Sequence, residues 1–155
     1  MVIPDAEALQ DAGEVRRILA CSGKIYVDLI ASEQRAKRRD VAICRIEQLY
    51  PVPMRDLRAM FDGYPNATEV VWVQEEPENM GAWEFIRPHL VEVSNGRAVR
   101  RIARPRSASP AEGSAARHAL NQQALVDLAF AEAPAARARR EVAERERAGV
   151  GPREQ

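Results

Sequence analysis

The chain has 155 residues, 46% of them hydrophobic and 30% charged, a balance that fits one globular domain with a core of its own. Lys plus Arg (23) equals Asp plus Glu (23), so the formal net charge is +0 and no overall field directs the chain to nucleic acid or to a membrane surface. Nothing approaches the ~18 consecutive apolar residues of a membrane span, and the acidic start Met1-Val2-Ile3-Pro4-Asp5-Ala6-Glu7 lacks both a secretory n-region with its h-region and an Arg-rich transit character.

Residues 1–14 are polar with few apolar anchors and read as a lead-in or linker. Val15 to Cys21 then reads as a strand, closed by Ser22-Gly23. Lys24 to about Arg38 reads as one helix, with Tyr26, Leu29 and Ile30 inward at helical spacing. Its basic last turn complements the negative end of the helix dipole, which accounts for those cations without a nucleic-acid partner. Val41 to Ile46 is a near-continuous apolar run, the pattern of a parallel strand covered on both faces. Two prolines stiffen Tyr50-Pro51-Val52-Pro53. Met54 to Phe61 reads as a helix burying Leu57, Met60 and Phe61. Val70 to Gln74 reads as a strand, and Gly81 to about Leu90 as a helix with Trp83 and Ile86 on one face. After the turn signal Asn95-Gly96, Ala98 to Ala103 reads as a fourth strand. A polar loop, Arg104 to Gly113, leads to a final helix from about Ser114 to Phe130, along which Leu120, Ala124 and Leu128 repeat every four residues. Strands alternating with helices at these distances argue an α/β domain over residues 15–130. Residues 131–155 change to Ala, Arg and Glu with scarcely an apolar stripe, and read as a mobile or helical tail.

Cys21 and Cys44 end apolar runs and read as buried free thiols of a reducing compartment. His89 and His118 are the only histidines, and neither stands at metal-ligand spacing with cysteines or acids, so no metal site is expected. Ser107, Ser109 and Ser114 lack a nucleophile-elbow context, and no catalytic residue is assigned.

The densest feature is Gln74-Glu75-Glu76-Pro77-Glu78-Asn79-Met80-Gly81-Ala82-Trp83, which follows Val70-Val71-Trp72-Val73. It resembles the signature near the C-terminus of the 2-oxoglutarate dehydrogenase E1 component, the thiamine-diphosphate enzyme. Cys21 to Leu29, Val41 to Pro53, Tyr64-Pro65-Asn66-Ala67, Arg104 to Pro110, Gly113-Ser114, and His118 with Gln122 and the Ala124–Phe130 segment are similar to further blocks of that family, in family order. The resemblance implies a three-layer α/β/α domain of the transketolase C-terminal-like type: a mainly parallel five-stranded sheet with one antiparallel edge. Only four strands are found by pattern, and the fifth is sought at Leu90–Val93 or in the loops. Ala116 stands where the family pattern has a basic residue, and Asn121 where it has an acidic one.

By the same resemblance, the parent enzyme decarboxylates 2-oxoglutarate on thiamine diphosphate with magnesium and passes the succinyl group to the lipoyl arm of E2. This chain lacks the two thiamine-diphosphate domains, so it is expected to bind no cofactor itself. Alone it should be inactive, serving packing, dimer contacts and regulation. Expected partners are the upstream E1 domains or chain, an E1 dimer mate and, indirectly, lipoyl-E2, in a bacterial cytoplasm, or in the mitochondrial matrix if the source is eukaryotic. The alternative is a free-standing module that binds a nucleotide or acyl-CoA.

Side-chain roles follow. Glu75 and Glu76 are neighbours that a strand would point to opposite faces, so a cap and an interdomain ion pair are expected rather than an acid/base pair. Gln74, Asn79, Gly81, Trp83 and His118 complete the interdomain signature: Trp83 as an anchor, Gly81 for close backbone approach, Asn79 as a turn residue, His118 in a structural hydrogen bond. Arg104, Arg106, Ser107, Ser109 and Ser114 at the helix N-terminus form the candidate anion or effector site, against which stands a contact of the arginines with Glu75 or Glu76.

Overall fold

The computed structural model describes residues 1–132, so most of the Ala/Arg/Glu-rich tail, from residue 133 on, lies outside the described residues. Its elements run β1 (Val2–Ile3), β2 (Arg17–Cys21), α1 (Ile25–Ala31), α2 (Glu33–Lys37), β3 (Val41–Ile46), α3 (Met54–Asp62), β4 (Glu69–Pro77), α4 (Trp83–Val93), β5 (Ala98–Arg104) and α5 (Ala115–Phe130). They build an α/β fold on one five-stranded sheet of order β1-β3-β2-β4-β5. All neighbours are parallel except β1, which pairs antiparallel with β3. Among the described residues no helix is long and apolar enough to cross a membrane.

The strand runs explain the layering. β2 lies in the middle, and every one of its five residues is buried. Ile18 and Ala20 face one core with Trp72, Leu57, Phe61, Ile86 and Leu90. Leu19 and Cys21 face the other with Ile25, Leu29, Val73, Val126 and Phe130. A strand covered on both faces has no polar side, hence the unbroken apolar sequence from Ile18 to Cys21. From β2 the chain steps outward to β3, then back across to β4 and β5. Right-handed crossovers in opposite directions put α1 on one face and α3 and α4 on the other. α5 returns to cover the α1 face.

The structure departs from the sequence reading in several places. Residues 1–14 are not a bare lead-in. Val2 and Ile3 form the fifth strand against Ile46 and Arg45. Asp5 is buried and accepts the Ile43 amide at 2.9 Å and both Arg35 terminal nitrogens at 2.8 Å. Leu90–Val93 is not a strand but the end of α4.

The helix expected over 24–38 breaks at Ser32, whose backbone is extended (φ −70°, ψ 136°) and whose hydroxyl accepts the Gln34 amide as a cap for α2. With that break Ile25, not Ile30, is the inner partner of Leu29; Tyr26 is half-buried and Ile30 is 42% exposed. In α5 the inward face is Leu125, Val126, Ala129 and Phe130, leaving Leu120 (73%) and Leu128 (56%) outside.

Candidate functional site

In open α/β sheets ligands and partners meet the carboxyl ends of strands, above all where the strand order reverses. Here that point lies between β2 and β4, and the Gln74–Trp83 run emerges there. β4 continues to Pro77, three residues beyond the expected strand, so Glu75 and Glu76 still lie on it.

Gln74 is the joint of this run. Its buried amide oxygen accepts the Trp72 indole N–H at 2.9 Å and the Trp83 backbone N–H at 3.1 Å. Its amide nitrogen donates to the carbonyls of Pro77 (3.1 Å) and Met80 (2.7 Å). One side chain thus ties the end of β4 to the following turn and to the first free N–H of α4, the capping role expected of a glutamate. Gly81 sits against it with φ +71°, and a Cβ there would lie 2.9 Å from Gln74 Nε2 and 3.0 Å from Glu76 Oε2. Trp83 is buried, with the Arg101 guanidinium 5.7 Å from its ring centroid.

Asn79 faces the last loop and bonds it reciprocally, donating to the Ser107 carbonyl and accepting the Ser107 amide, both at 3.0 Å. Glu78 pairs with Arg101 at 2.6 Å and Arg106 at 3.3 Å, and the Arg101 hydrogen bond leads in holding its carboxyl below the usual range. Arg104 donates to the Glu75 carbonyl at 2.5 Å and the Pro110 carbonyl at 2.8 Å, and pairs with Glu112 at 3.3 Å.

Glu112 also meets His118 Nδ1 at 2.8 Å and accepts from the Asn121 amide, so the amide at position 121 donates to a carboxylate that an acid there would repel. The Asn121 hydrogen bond is the leading cause that keeps the Glu112 carboxyl low. Ala116 is an exposed residue of the first turn of α5.

The Gln122 amide nitrogen donates to Asp28 at 2.7 Å and Glu75 at 3.1 Å, and Asp28 pairs with Lys24 at 2.9 Å. Partial burial pushes the Asp28 carboxyl up, but the Lys24 and Gln122 bonds outweigh it and its pKa is lowered. Lys24, Asp28 and Gln122 border a cavity of about 620 Å³ between α1 and α5.

The structure therefore brings Gln74, Glu75, Asn79, Gly81, Trp83, Arg104 and His118 into one interlocked network. It does not gather the five expected anion ligands around a common point. Arg104 is spent on internal acceptors, Ser114 caps α5 by accepting the Arg117 amide, and Ser109 bonds Ala111 and Ser107. Arg106 is 72% exposed, and Ser107, Ser109 and Ser114 are exposed as well, whereas Arg104 is partly buried. The acidic partner of Arg106 is Glu78, and that of Arg104 is Glu112; Glu76 pairs with neither. His89 lies inside α4, edge-on to Phe85 at 5.4 Å.

Asp28, Glu78 and Glu112 escaped the sequence reading. The Lys24–Asp28 spacing of four was a readable signal for the first, whereas Glu112 stands in an aperiodic loop. Among the described residues no group of three or more His, Cys, Asp and Glu is placed to hold a metal. Cys21 and Cys44 are buried free thiols, each pushed up to about 12 by burial.

Residues 1–130 match the model of the family described as 2-oxoglutarate dehydrogenase C-terminal. Over 131 residues the chain is 46% identical to the 2-oxoglutarate dehydrogenase E1 component of Cupriavidus necator, an alignment covering 84% of this chain and 14% of that protein. It is 44% identical over 126 residues to the multifunctional 2-oxoglutarate metabolism enzyme of Mycolicibacterium vanbaalenii (80% of this chain, 10% of that protein). It is 41% identical over 121 residues to the 2-oxoglutarate dehydrogenase E1/E2 component of Corynebacterium glutamicum (77% and 10%). The chain thus spans no more than 14% of the length of these relatives.

Proposed function

Because this chain belongs to the 2-oxoglutarate dehydrogenase C-terminal family, we propose that it is the C-terminal domain, or a separate C-terminal subunit, of a thiamine-diphosphate-dependent 2-oxoglutarate dehydrogenase E1. In that enzyme the thiamine-diphosphate domains carry out the decarboxylation and the succinyl transfer to lipoyl-E2, and thiamine diphosphate with magnesium belongs to them. This domain contributes a rigid body that those domains pack against, in the bacterial cytoplasm.

The single observation that carries this reading is the family match over residues 1–130, which includes the whole Gln74–Trp83 joint. The character of the joint supports a scaffolding role. Its donors and acceptors are consumed by one another, as in a part built to hold shape. Asp28, Gln122, Glu75, Arg104 and Glu112 hold the carboxyl ends of β4 and β5 to α1 and α5.

Reconstitution tests the proposal. The purified chain and a polypeptide carrying the thiamine-diphosphate domains are assayed separately and mixed, by 2-oxoglutarate-dependent ferricyanide reduction. Activity that rises on mixing supports the reading. Activity of the isolated chain, or no effect on an E1 polypeptide that lacks this region, refutes it.

A further inference from the structure

The two edges of the sheet are unlike. β1 closes one side with two residues, but β5 has seven residues, Ala98–Arg104, that among the described residues pair only with β4. A long edge presents a row of free N–H and C=O groups, and folded proteins cover such edges or cut them short. Along β5 runs an open groove of about 800 Å³, with Trp83 and Arg87 of α4 on one wall, Leu128 of α5 on the other, and Arg101 and Ile102 between.

α5 continues that surface. Its residues 115–124 include none that is buried. Ala116, Leu120, Ala124 and Leu128 recur at four-residue intervals on its exposed side, and Leu120 is 73% exposed. This segment holds to its own domain through the polar contacts of His118, Asn121 and Gln122, and its outward small-and-leucine stripe adds nothing to that hold. Small residues on that face let another backbone approach closely.

From these features we propose that the corner made by the open edge of β5 and the outer stripe of α5 is the surface on which the thiamine-diphosphate domains of the E1 enzyme seat this domain. The proposal rests on the reading given under Proposed function. The chain covers only 14% of the E1 relative, so a large E1 body stands beside it in that enzyme, which selects that body over a second copy of the chain. Arg100 and Arg101 are already matched by Glu69 and Glu78. Arg87 has no ion pair among the described residues, so the seated surface should offer apolar side chains to Leu120 and Leu128 and a carboxylate to Arg87.

The test is native affinity purification of the tagged full chain from its source cells, with the recovered thiamine-diphosphate-domain polypeptide quantified by mass spectrometry. Leu120→Glu/Leu128→Glu is compared with wild type and with Val27→Glu/Ile30→Glu, which charges exposed apolar positions on α1. All three are first shown to have the same circular dichroism. Wild type and the α1 variant should recover the polypeptide in similar amounts, and the α5 variant at least about tenfold less. Undiminished recovery by the α5 variant, or equal loss by both variants, overturns the assigned surface and leaves the E1 reading standing. Failure of wild type itself to recover that polypeptide overturns both.

Discussion

Replacing Gln74 by leucine should cost this domain about 4 kcal/mol. The substitution keeps the volume and removes the amide. It strands the Trp72 indole N–H, the Trp83 backbone N–H and the Pro77 and Met80 carbonyls, whose bonds to Gln74 measure 2.7–3.1 Å. A hydrogen bond of this kind contributes about 1 kcal/mol net, and a buried group left unpaired costs at least as much. Water reaching the half-buried Met80 carbonyl lowers that total, and the loss of the α4 cap raises it. Against a total stability of about 5–15 kcal/mol the domain should still fold at 25 °C, with a urea midpoint well below wild type.

Gln74→Glu sharpens the argument. One carboxylate oxygen can still accept from both tryptophan N–H groups, but the other meets two carbonyls and needs a proton. The folded-state pKa of that glutamate is therefore raised above its ordinary value of about 4.3. The stability deficit of this variant relative to wild type should be smallest below that value and should grow as pH rises through the raised one. Urea titrations followed by tryptophan fluorescence at pH 5 and pH 8 measure both effects. A Gln74→Leu midpoint that corresponds to less than about 1 kcal/mol of loss would refute the role assigned to the amide.

Three more expectations concern the rest of the frame. Arg17 is 4% exposed, pairs with Glu69 at 2.6 Å and donates to the Ala129 and Ala131 carbonyls at 2.7 and 2.5 Å; Arg17→Met should destabilise by about 2–4 kcal/mol in denaturant titration, because it leaves Glu69 with Arg100 as its one remaining arginine and takes the donor from the C-terminal carbonyls of α5. Burial pushes the Asp5 and Glu69 carboxyls up, but Arg35, and Arg17 with Arg100, outweigh it and lower both pKa values. Their contribution is present above the ordinary carboxyl range near pH ~4 and is lost as pH falls through the lower folded values, so acid unfolding should begin below about pH 4 and shift upward in Asp5→Asn. Cys21 and Cys44 should be inert to a disulfide reagent at pH 8 in the folded chain and should both react in urea, which counting released thiolate checks.

Central strands, α3 and the signature were legible because burial on both faces writes an unmistakable apolar run and because the Gln74–Trp83 spacing is unusual. β1 was not legible: two residues are too few to show a period, and what fixes them is Asp5, whose partners Arg35 and Ile43 are remote in sequence. The inner face of α5 was not legible for a related reason. Leu120, Ala124 and Leu128 show as clean a helical repeat as Leu125, Val126, Ala129 and Phe130, and only the position of the sheet decides which set is covered. Ser32 could have been read as a helix cap, but the apolar spacing around it continues across the break. The acceptors of Arg104 and Arg106 were hidden by distance along the chain and by a loop without periodicity. That is why basic residues gathered in sequence suggested an anion site where the fold supplies its own carboxylates.

The strand order has a consequence for how this chain leaves the ribosome. β2 is made early, yet its second neighbour, β4, is complete only after Pro77, and the face carrying Leu19, Val71 and Val73 is closed only when Val126 and Phe130 arrive. For most of synthesis that side of the growing sheet therefore has only α1 to cover it, and the rest lies open to water and to other nascent chains. The last-made turns of α5, clasped at their carbonyls by Arg17 and Arg38 from the beginning of the chain, end that exposure and join the earliest and latest residues of the domain in a single fastening.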